Sequence, residues 1–474
     1  MNGEAGSDGS APAARRARAE APPNRLYHPD MYRFGRAEPS LWEARAGPAM
    51  AADGPLDGDR QVEVAVIGGG YTGLSAALHL ARDHGIEARV LEAGHIGWGA
   101  SGRNAGFCSI GGTSLSLEQM LARYGEEGTR AYYRSQLDAI ELVRRLIAEE
   151  GMDAEPRGEA ELEAAPSRRA LEHLRRRAEA QRRLCGIDNS VLDAEAFRAR
   201  YFGSTELAGG IVQRPAFAIQ PLRYLQGLAS AARRAGAVLH PHSEVLEWRK
   251  EGQEHLLLTA GGALRARQVI LAANGFMPEH LHAAFRGRPL PMISAIIVTR
   301  PLTEGELAAA GWRTSDPAIS ARHLLNYYRL LPDRRFLFGG RGHSSGAQKG
   351  ARATFAALQR RLGHLWPAWR GIPVEYRWHG LICISRRLTP SVGRLADDPS
   401  VAYAWGYHGN GVNTATWCGR MLAAWLARAP GDGAWPAELP AVYRGLPPRF
   451  PLPGLRRRYL QARLAVFRLQ DALA

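Results

Sequence analysis

The feature that most constrains the fold is a run of glycines between a strand and a helix. Val62, Val64, Val66 and Ile67 form a short β-branched strand. Gly68, Gly69 and Gly70 follow, and Tyr71, Thr72 and Gly73 lead into a helical run to Arg82 that Gly85 can terminate. Gly68, Gly70 and Gly73 thus read G-x-G-x-x-G. The first glycine makes a tight turn, the second admits a pyrophosphate to the backbone, and the third lets helix and strand pack closely. Free N–H groups and the dipole at the helix N-terminus favour the phosphates. A second strand, Ala88 to Leu91, ends at Glu92, where a carboxylate can accept hydrogen bonds from a ribose hydroxyl pair. A glycine triplet alone is weak evidence. Strand, turn, helix, second strand and terminal glutamate together specify a Rossmann-like unit that binds a dinucleotide.

The far end of the chain carries a second strand–glycine loop–helix unit. Val401 to Trp405 reads as a strand, Gly406, His408, Gly409, Asn410 and Gly411 as a loop, and Val412 opens a helix through Leu422 and Trp425. A helix N-terminus there suits the pyrimidine end of a flavin ring, where negative charge builds at N1 and the C2 carbonyl on reduction. The same glycines also suit a plain βα turn, and the spacing alone does not choose flavin.

At 474 residues the chain holds about two domains. Residues 1–26, dominated by Ala, Gly, Pro and Arg, are expected to be disordered. Residues 27–60 form an arm carrying Tyr27, Tyr32, Phe34 and Trp42. Residues 61–150 make the first part of the dinucleotide domain, closing with a helix from Thr129 to Glu150. Residues 151–220 read as a helical segment belonging with the substrate domain, with Glu159 to Arg200 a charged, helical surface excursion. Residues 221–285 return to the dinucleotide domain through a helix, Pro221 to Ala235, and strands at Val245 to Trp248, His255 to Thr259 and Gln268 to Leu271. Residues 286–377 form a strand-rich substrate domain that includes Ile293 to Thr299 and Phe336 to Gly339. Residues 378–430 complete the dinucleotide domain, and 431–474 are an extension ending in a basic helix.

Composition excludes several classes. With 45% hydrophobic and 23% charged residues the chain is globular. The stretch Val64 to Ala81 is broken by glycines and a histidine, so it is no membrane span, and the first residues lack a secretory pattern. Cys108, Cys185, Cys383 and Cys418 are scattered, without metal or disulfide spacing, and a reducing cytoplasm is the simplest compartment. The net charge of +15 comes from arginines spread along the chain, Lys250 and Lys349 being the only lysines. No nucleic-acid-binding signature accompanies it, so nucleic acid is not an expected partner.

The run GGGYTGLSAALHLA followed by VLEAGHIGWGASGRNAGF resembles the glycine oxidase/D-amino acid oxidase superfamily, most closely its γ-glutamylputrescine oxidase-like branch. Leu325 to Arg341, Trp378 to Leu395, Trp405 to Val412 and the C-terminal FRLQDAL are similar to the same branch, so the likeness covers nearly everything after Tyr27. It implies an α/β fold with a glutathione-reductase-type FAD domain interleaved with a smaller α+β domain built on an antiparallel sheet. It implies FAD contacts from Gly68, Gly70, Tyr71, Thr72, Gly73, Glu92 and Ala93, and from Gly99, Ala100, Ser101, Arg103, Asn104, Ala105 and Gly106 in the segment threading past the flavin. Val245 resembles the adenine contact, Ala273, Asn274 and Gly275 the loop under the dinucleotide, and Gly406, His408, Gly409, Asn410, Gly411 and Val412 the loop at the pyrimidine end. Ser101 and Asn104 suit a turn cap equally well.

The implied reaction is oxidation of a small amine or amino-acid-like substrate by hydride transfer from the carbon next to nitrogen to flavin N5, giving an imine that water hydrolyses. Electrons then pass to O2, or to a quinone or protein acceptor in a dehydrogenase of the same fold. Sarcosine-oxidase-like relatives carry an oxygen-activating lysine where Asn413 stands, and attach flavin through a cysteine from which Cys383 is one place out of register, so non-covalent FAD is expected. Tyr327 and Tyr328 belong to the pocket roof, where alternation sends only one inward. His408 suits either flavin tuning or a turn hydrogen bond, while Arg103 and Arg341 suit either a substrate carboxylate or structural ion pairs. A neutral amine held with its carbon over flavin N5 can pass hydride directly, so no strict catalytic base is expected. The basic helix, Arg456 to Leu473, suits either a membrane surface or docking on the body.

Overall fold

The computed structural model describes residues 25–47, 52–428 and 434–473. Most of the tail expected to be disordered therefore lies outside the described residues. Two eight-stranded sheets make the frame. In the first, Arg60–Ile67 lies between Ala263–Leu271 and Ala88–Leu91, with Val401–Trp405 and Val238–His240 beyond them, all parallel. Ser391–Arg394 runs antiparallel at one edge, and Glu254–Leu258 and Glu247–Glu251 form a hairpin on Ala263–Leu271.

Both faces of the central strands are covered over their C-terminal halves, so Val64 to Ile67, Val269 to Leu271 and Val401 to Trp405 are apolar and buried, while Arg60, Gln61, Arg265 and Arg267 lie at the exposed ends. Val64 and Val66 enter one core with the helices Tyr71–His84, Leu117–Glu149, Pro221–Arg234 and Val412–Leu426. Ala65 and Ile67 face the other way, with Leu91, Val269 and Leu271.

In the second sheet the order is Val374–Ser385, Pro289–Pro301, Arg335–Arg341, Tyr327–Leu330, Ala318–Ser320, Glu161–Ala165, Gly209–Arg214 and Asp188–Asp193. All neighbours are antiparallel except Ala318–Ser320 with Glu161–Ala165. Leu162, Ala318, Tyr328 and Phe338 stand in register across four strands and enter a core with Trp312, Trp366 and Trp369. The opposite face of these strands looks toward the first sheet.

Three expectations are corrected. The stretch Glu159 to Arg200 is not a helical excursion. Only Arg168–Cys185 and Ala194–Arg200 are helical, while Glu161–Ala165 and Asp188–Asp193 are strands of the second sheet. The alternation of Glu161 and Glu163 with Leu162 and Ala164 is a period-2 signal that the charged surroundings disguise. Val374–Ser385 does not open the return to the first sheet at 378. It pairs along Pro289–Pro301 through Ser385, and the return comes at Ser391. The long helix, expected from about Thr129, is preceded by a further helical run from Leu117, with a capping box between Ser116 and Gln119, and the two meet at Gly125, whose φ of 66° and ψ of −177° are not helical.

Candidate active site

A cavity of about 430 Å³ lies between the sheets, lined by residues of both. At one end stands the glycine turn. The helix Tyr71–His84 begins at Gly70 with no side-chain cap, although the Tyr71 N–H donates to Ser101 Oγ at 3.0 Å. Gly73 packs the helix against the turn, and a Cβ there would overlap the Gly68 carbonyl oxygen. Glu92 accepts the Gly69 and Gly94 N–H groups at 2.7 and 3.0 Å; burial raises its pKa and these bonds oppose the rise.

The segment after Trp98 threads along the cavity. Asn104 closes its turn, donating to the Ala100 and Ser101 carbonyls and accepting the Gly106 N–H. Arg103 lies over the Trp98 ring at 4.0 Å, donates to the Trp98 carbonyl and approaches Glu38 of the N-terminal arm at 3.4 Å. Its Nη2 has no partner among the described residues, and burial brings the guanidinium pKa down to about 10. Phe34 of the same arm meets Trp98, and both line the cavity with Phe276.

The other end collects the titratable groups. Tyr327 Oη shares a 2.8 Å hydrogen bond with Ser294 Oγ, and burial holds its pKa at about 12. Its ring lies over Gly339 in the neighbouring strand, where a Cβ would strike it. Arg341 lines the cavity with no ion pair or side-chain hydrogen bond among the described residues, and burial lowers its pKa. His408 takes a φ of 54°, and its Nδ1 meets Ser114 Oγ at 3.0 Å. Burial, with the charges of Arg341 and Arg387, pushes its pKa down to about 3, so the ring is neutral. Asn410 and Asn413, at the start of Val412–Leu426, donate to the Ser109 carbonyl at 2.9 and 3.2 Å.

Of the residues singled out from sequence, most meet at this cavity. Four do not line it. Tyr328 points into the second core, the outward member of the pair, and is corrected as a site residue. Gly73, Gly106 and Gly406 shape the turns behind the wall, the Gly406 N–H donating to Asn274 Oδ1 at 2.9 Å. Cys383 is buried on the wall, its thiol pKa pushed up by burial. Sequence reasoning missed Glu161, Ser109 and Ser294. Glu161 accepts from Ser109 Oγ at 2.7 Å, and burial with the charge of Glu163 raises its pKa to about 7. Its period-2 setting was the available signal.

Residues 63–425 match the family described as FAD dependent oxidoreductase, DAO. The chain belongs to that family. It is 31% identical over 417 residues to the gamma-glutamylputrescine oxidoreductase of Escherichia coli, spanning 87% of this chain and 93% of that one. It is 29% identical over 373 residues to the probable oxidoreductase OrdL of Haemophilus influenzae, spanning 78% and 84%. The crystal structure of glycine oxidase from Geobacillus kaustophilus superposes with a TM-score of 0.67 at 20% identity, over 81% of this chain and 100% of that one, a likeness of fold. The protein is thus an FAD-dependent oxidoreductase with a Rossmann-like FAD domain and a second, largely antiparallel sheet facing it.

Proposed function

We propose that this oxidoreductase acts on a small amine or amino-acid-like substrate, γ-glutamylputrescine-like or another primary or secondary amine. The cavity fits FAD. Arg103 Nη2, His408 Nε2 and Asn410 Oδ1 are buried polar atoms on its wall without partners among the described residues, and a Cβ at Gly70 would come within 2.8 Å of Ser101 Oγ. In this reading Gly68 to Gly70 and the uncapped helix start hold the pyrophosphate, and Glu92 holds the ribose. Val245, Ala273 and Gly275 flank the adenosine. Ala100 to Ala105 run beside the ring, and Gly409 to Val412 meet its pyrimidine end. What FAD supplies when bound is a hydride acceptor for the carbon next to nitrogen, so that the amine leaves as an imine that water hydrolyses.

The observation that carries the substrate class is Arg341, a half-buried guanidinium on the cavity wall with no anion beside it among the described residues. It suits a substrate carboxylate or comparable anion. Tyr327, fixed by Ser294, and neutral His408 supply hydrogen bonds around the substrate without competing for charge. The test is anaerobic bleaching of the flavin with γ-glutamylputrescine, other polyamine derivatives, sarcosine, glycine, proline and D-amino acids. Loss of the yellow absorbance with at least one is expected, and bleaching by none sinks the reading. The FAD is held non-covalently in this reading, since Cys383 directs its sulfur toward the Ile384 carbonyl at 3.7 Å and its thiol is held protonated. Acid precipitation then releases all the flavin to the supernatant; yellow retained in the pellet contradicts it.

A second reading concerns the electron acceptor. Asn413 is buried and bonded to the Ser109 carbonyl, and an exposed apolar stripe on the C-terminal helix offers a contact with a membrane that holds quinone. This reading supports a dehydrogenase over an oxidase. Turnover that is fast in air and unaffected by added quinone speaks for the oxidase.

A further inference from the structure

Three carboxylates line the cavity: Glu92, Glu161 and Glu244. Two already have strong partners, Glu92 the N–H groups of Gly69 and Gly94, and Glu244 the Arg25 guanidinium at 2.8 Å. Glu161 has one hydroxyl, that of Ser109, and no cation within ion-pair reach among the described residues. The nearest candidate, Arg177, is spent on Glu163. Glu161 also sits at the right end. Ser109 holds its carboxylate by the hydroxyl and holds Asn410 and Asn413 by the carbonyl, so the carboxylate is tied to the loop opening Val412–Leu426. On the same side, Tyr327 and Ile319 line the cavity from neighbouring strands, and Arg341 lines it nearby, close enough to Tyr327 for the two to influence each other's charge.

We propose that Glu161 receives the substrate's ammonium group and takes its proton before oxidation. This rests on the amine reading above and narrows it: the cavity selects amines that arrive as cations and carry an anionic group for Arg341. The step moves no electrons. One N–H bond of R–CH2–NH3+ breaks, an O–H bond forms on the Glu161 carboxylate, and the neutral amine R–CH2–NH2 remains, with the nitrogen lone pair free to support departure of hydride from the neighbouring carbon.

The chemistry needs both features of the site. An aliphatic ammonium in water has a pKa near that of lysine, about 10, and a carboxylate in water is about six units too weak a base for it. Burial narrows the gap from both sides, since it disfavours each charged form. The groups that act on Glu161 set its value at about 7: burial and Glu163 on its own strand raise it, while Ser109 and Arg177 of Arg168–Cys185 lower it. A carboxylate tuned to neutral pH is suited to accept a proton there.

The experiment is stopped-flow, anaerobic flavin reduction in the holoenzyme at low substrate, with whichever amine of the panel bleaches wild type fastest, from pH 6 to pH 10. Wild type should rise through a limb near pH 7. E161Q, which keeps an acceptor for Ser109, should be about 100-fold slower at pH 7, lose that limb and recover toward the pKa of the amine itself. E161D should keep the limb. S109A, which removes the one hydrogen bond lowering the carboxyl pKa, should move the limb to higher pH. Flavin content and melting temperature separate these effects from misfolding. Profiles of E161Q and S109A that superimpose on wild type overturn the proposal. Wild-type flavin that no amine reduces overturns the amine reading instead, and the proposal with it.

Discussion

Arg341 brings a positive charge into the cavity with no carboxylate beside it, and a group in that position is stabilised only when a ligand supplies the anion. A charge-assisted hydrogen bond contributes about 1.5–3 kcal/mol, so R341Q should weaken binding of a carboxylate-bearing amine by about 10- to 100-fold. An amine without the carboxylate should be nearly unaffected. Comparing sarcosine with dimethylamine in the reductive half-reaction checks this, and an equal loss for both refutes it. Four buried or half-buried histidines set the response of stability to pH. His408 is held at about 3, and His79, His255 and His343 at about 4, each mainly by burial, against an ordinary value of 6.5. The unfolded chain therefore binds more protons between about pH 6.5 and pH 3, and stability is lost as pH falls through that window. Glu161, raised to about 7 from 4.5, acts in the opposite sense over part of it, as do Glu92 and Glu244, also raised by burial, but the four histidines outnumber these three glutamates. The melting temperature should fall steadily from pH 7 to pH 4; a flat profile contradicts this.

At the scale of elements, the site depends on strand faces. Tyr327 reaches the cavity because its neighbour across the sheet is Gly339, while Tyr328, one residue on, falls into the tryptophan-rich core. G339A places a methyl in the Tyr327 ring, and overpacking of this kind costs about 1–3 kcal/mol. The ring must swing away from Ser294, so kcat/KM should fall about tenfold with flavin content unchanged. Retained kcat/KM shows that Tyr327 does not help hold the substrate. Alternation also decides what was legible in the chain. The glycine turn, Glu92 and the loop before Val412 were readable because each places a backbone-driven motif between two regular elements. So was the division of labour between Tyr327 and Tyr328, though not which one faced inward. Glu161 was not, since a four-residue alternation inside a charged stretch looks helical by composition, and its role depends on pairing with Gly209–Arg214 and Ala318–Ser320, which are distant in sequence. The boundary expected at 378 falls inside the strand Val374–Ser385 for the same reason: pairing partners are chosen by register, not by neighbours in the chain.

At the scale of the whole molecule, the two sheets close a cavity, and the C-terminal helix determines what its outer surface offers. Leu460 and Leu464 pack on Leu290 and Met292, Arg456 binds Glu279 at 3.0 Å, and Asp471 accepts the His323 and Leu324 N–H groups. The helix is therefore docked along most of its length. Docking uses one face only. On the opposite face, at helical spacing, stand Leu455, Tyr459, Val466 and Leu469, with Leu452 just before them. Leu452 and Leu469 are 68% and 62% exposed, while Arg457, Arg458, Arg463 and Arg468 are exposed around the stripe. No helix among the described residues is long and apolar enough to cross a membrane. Basic residues near an anionic bilayer contribute about 1 kcal/mol each, and four of them with an apolar stripe suffice for reversible binding. The protein should co-sediment with phosphatidylserine vesicles at low salt and be released as salt rises. Charge reversal of Arg457, Arg458, Arg463 and Arg468 to glutamate should abolish the association while the docked face, the flavin and amine-driven bleaching stay as they are. If the native protein ignores such vesicles at low salt, the stripe is bare surface, and the acceptor must reach the reduced enzyme from solution.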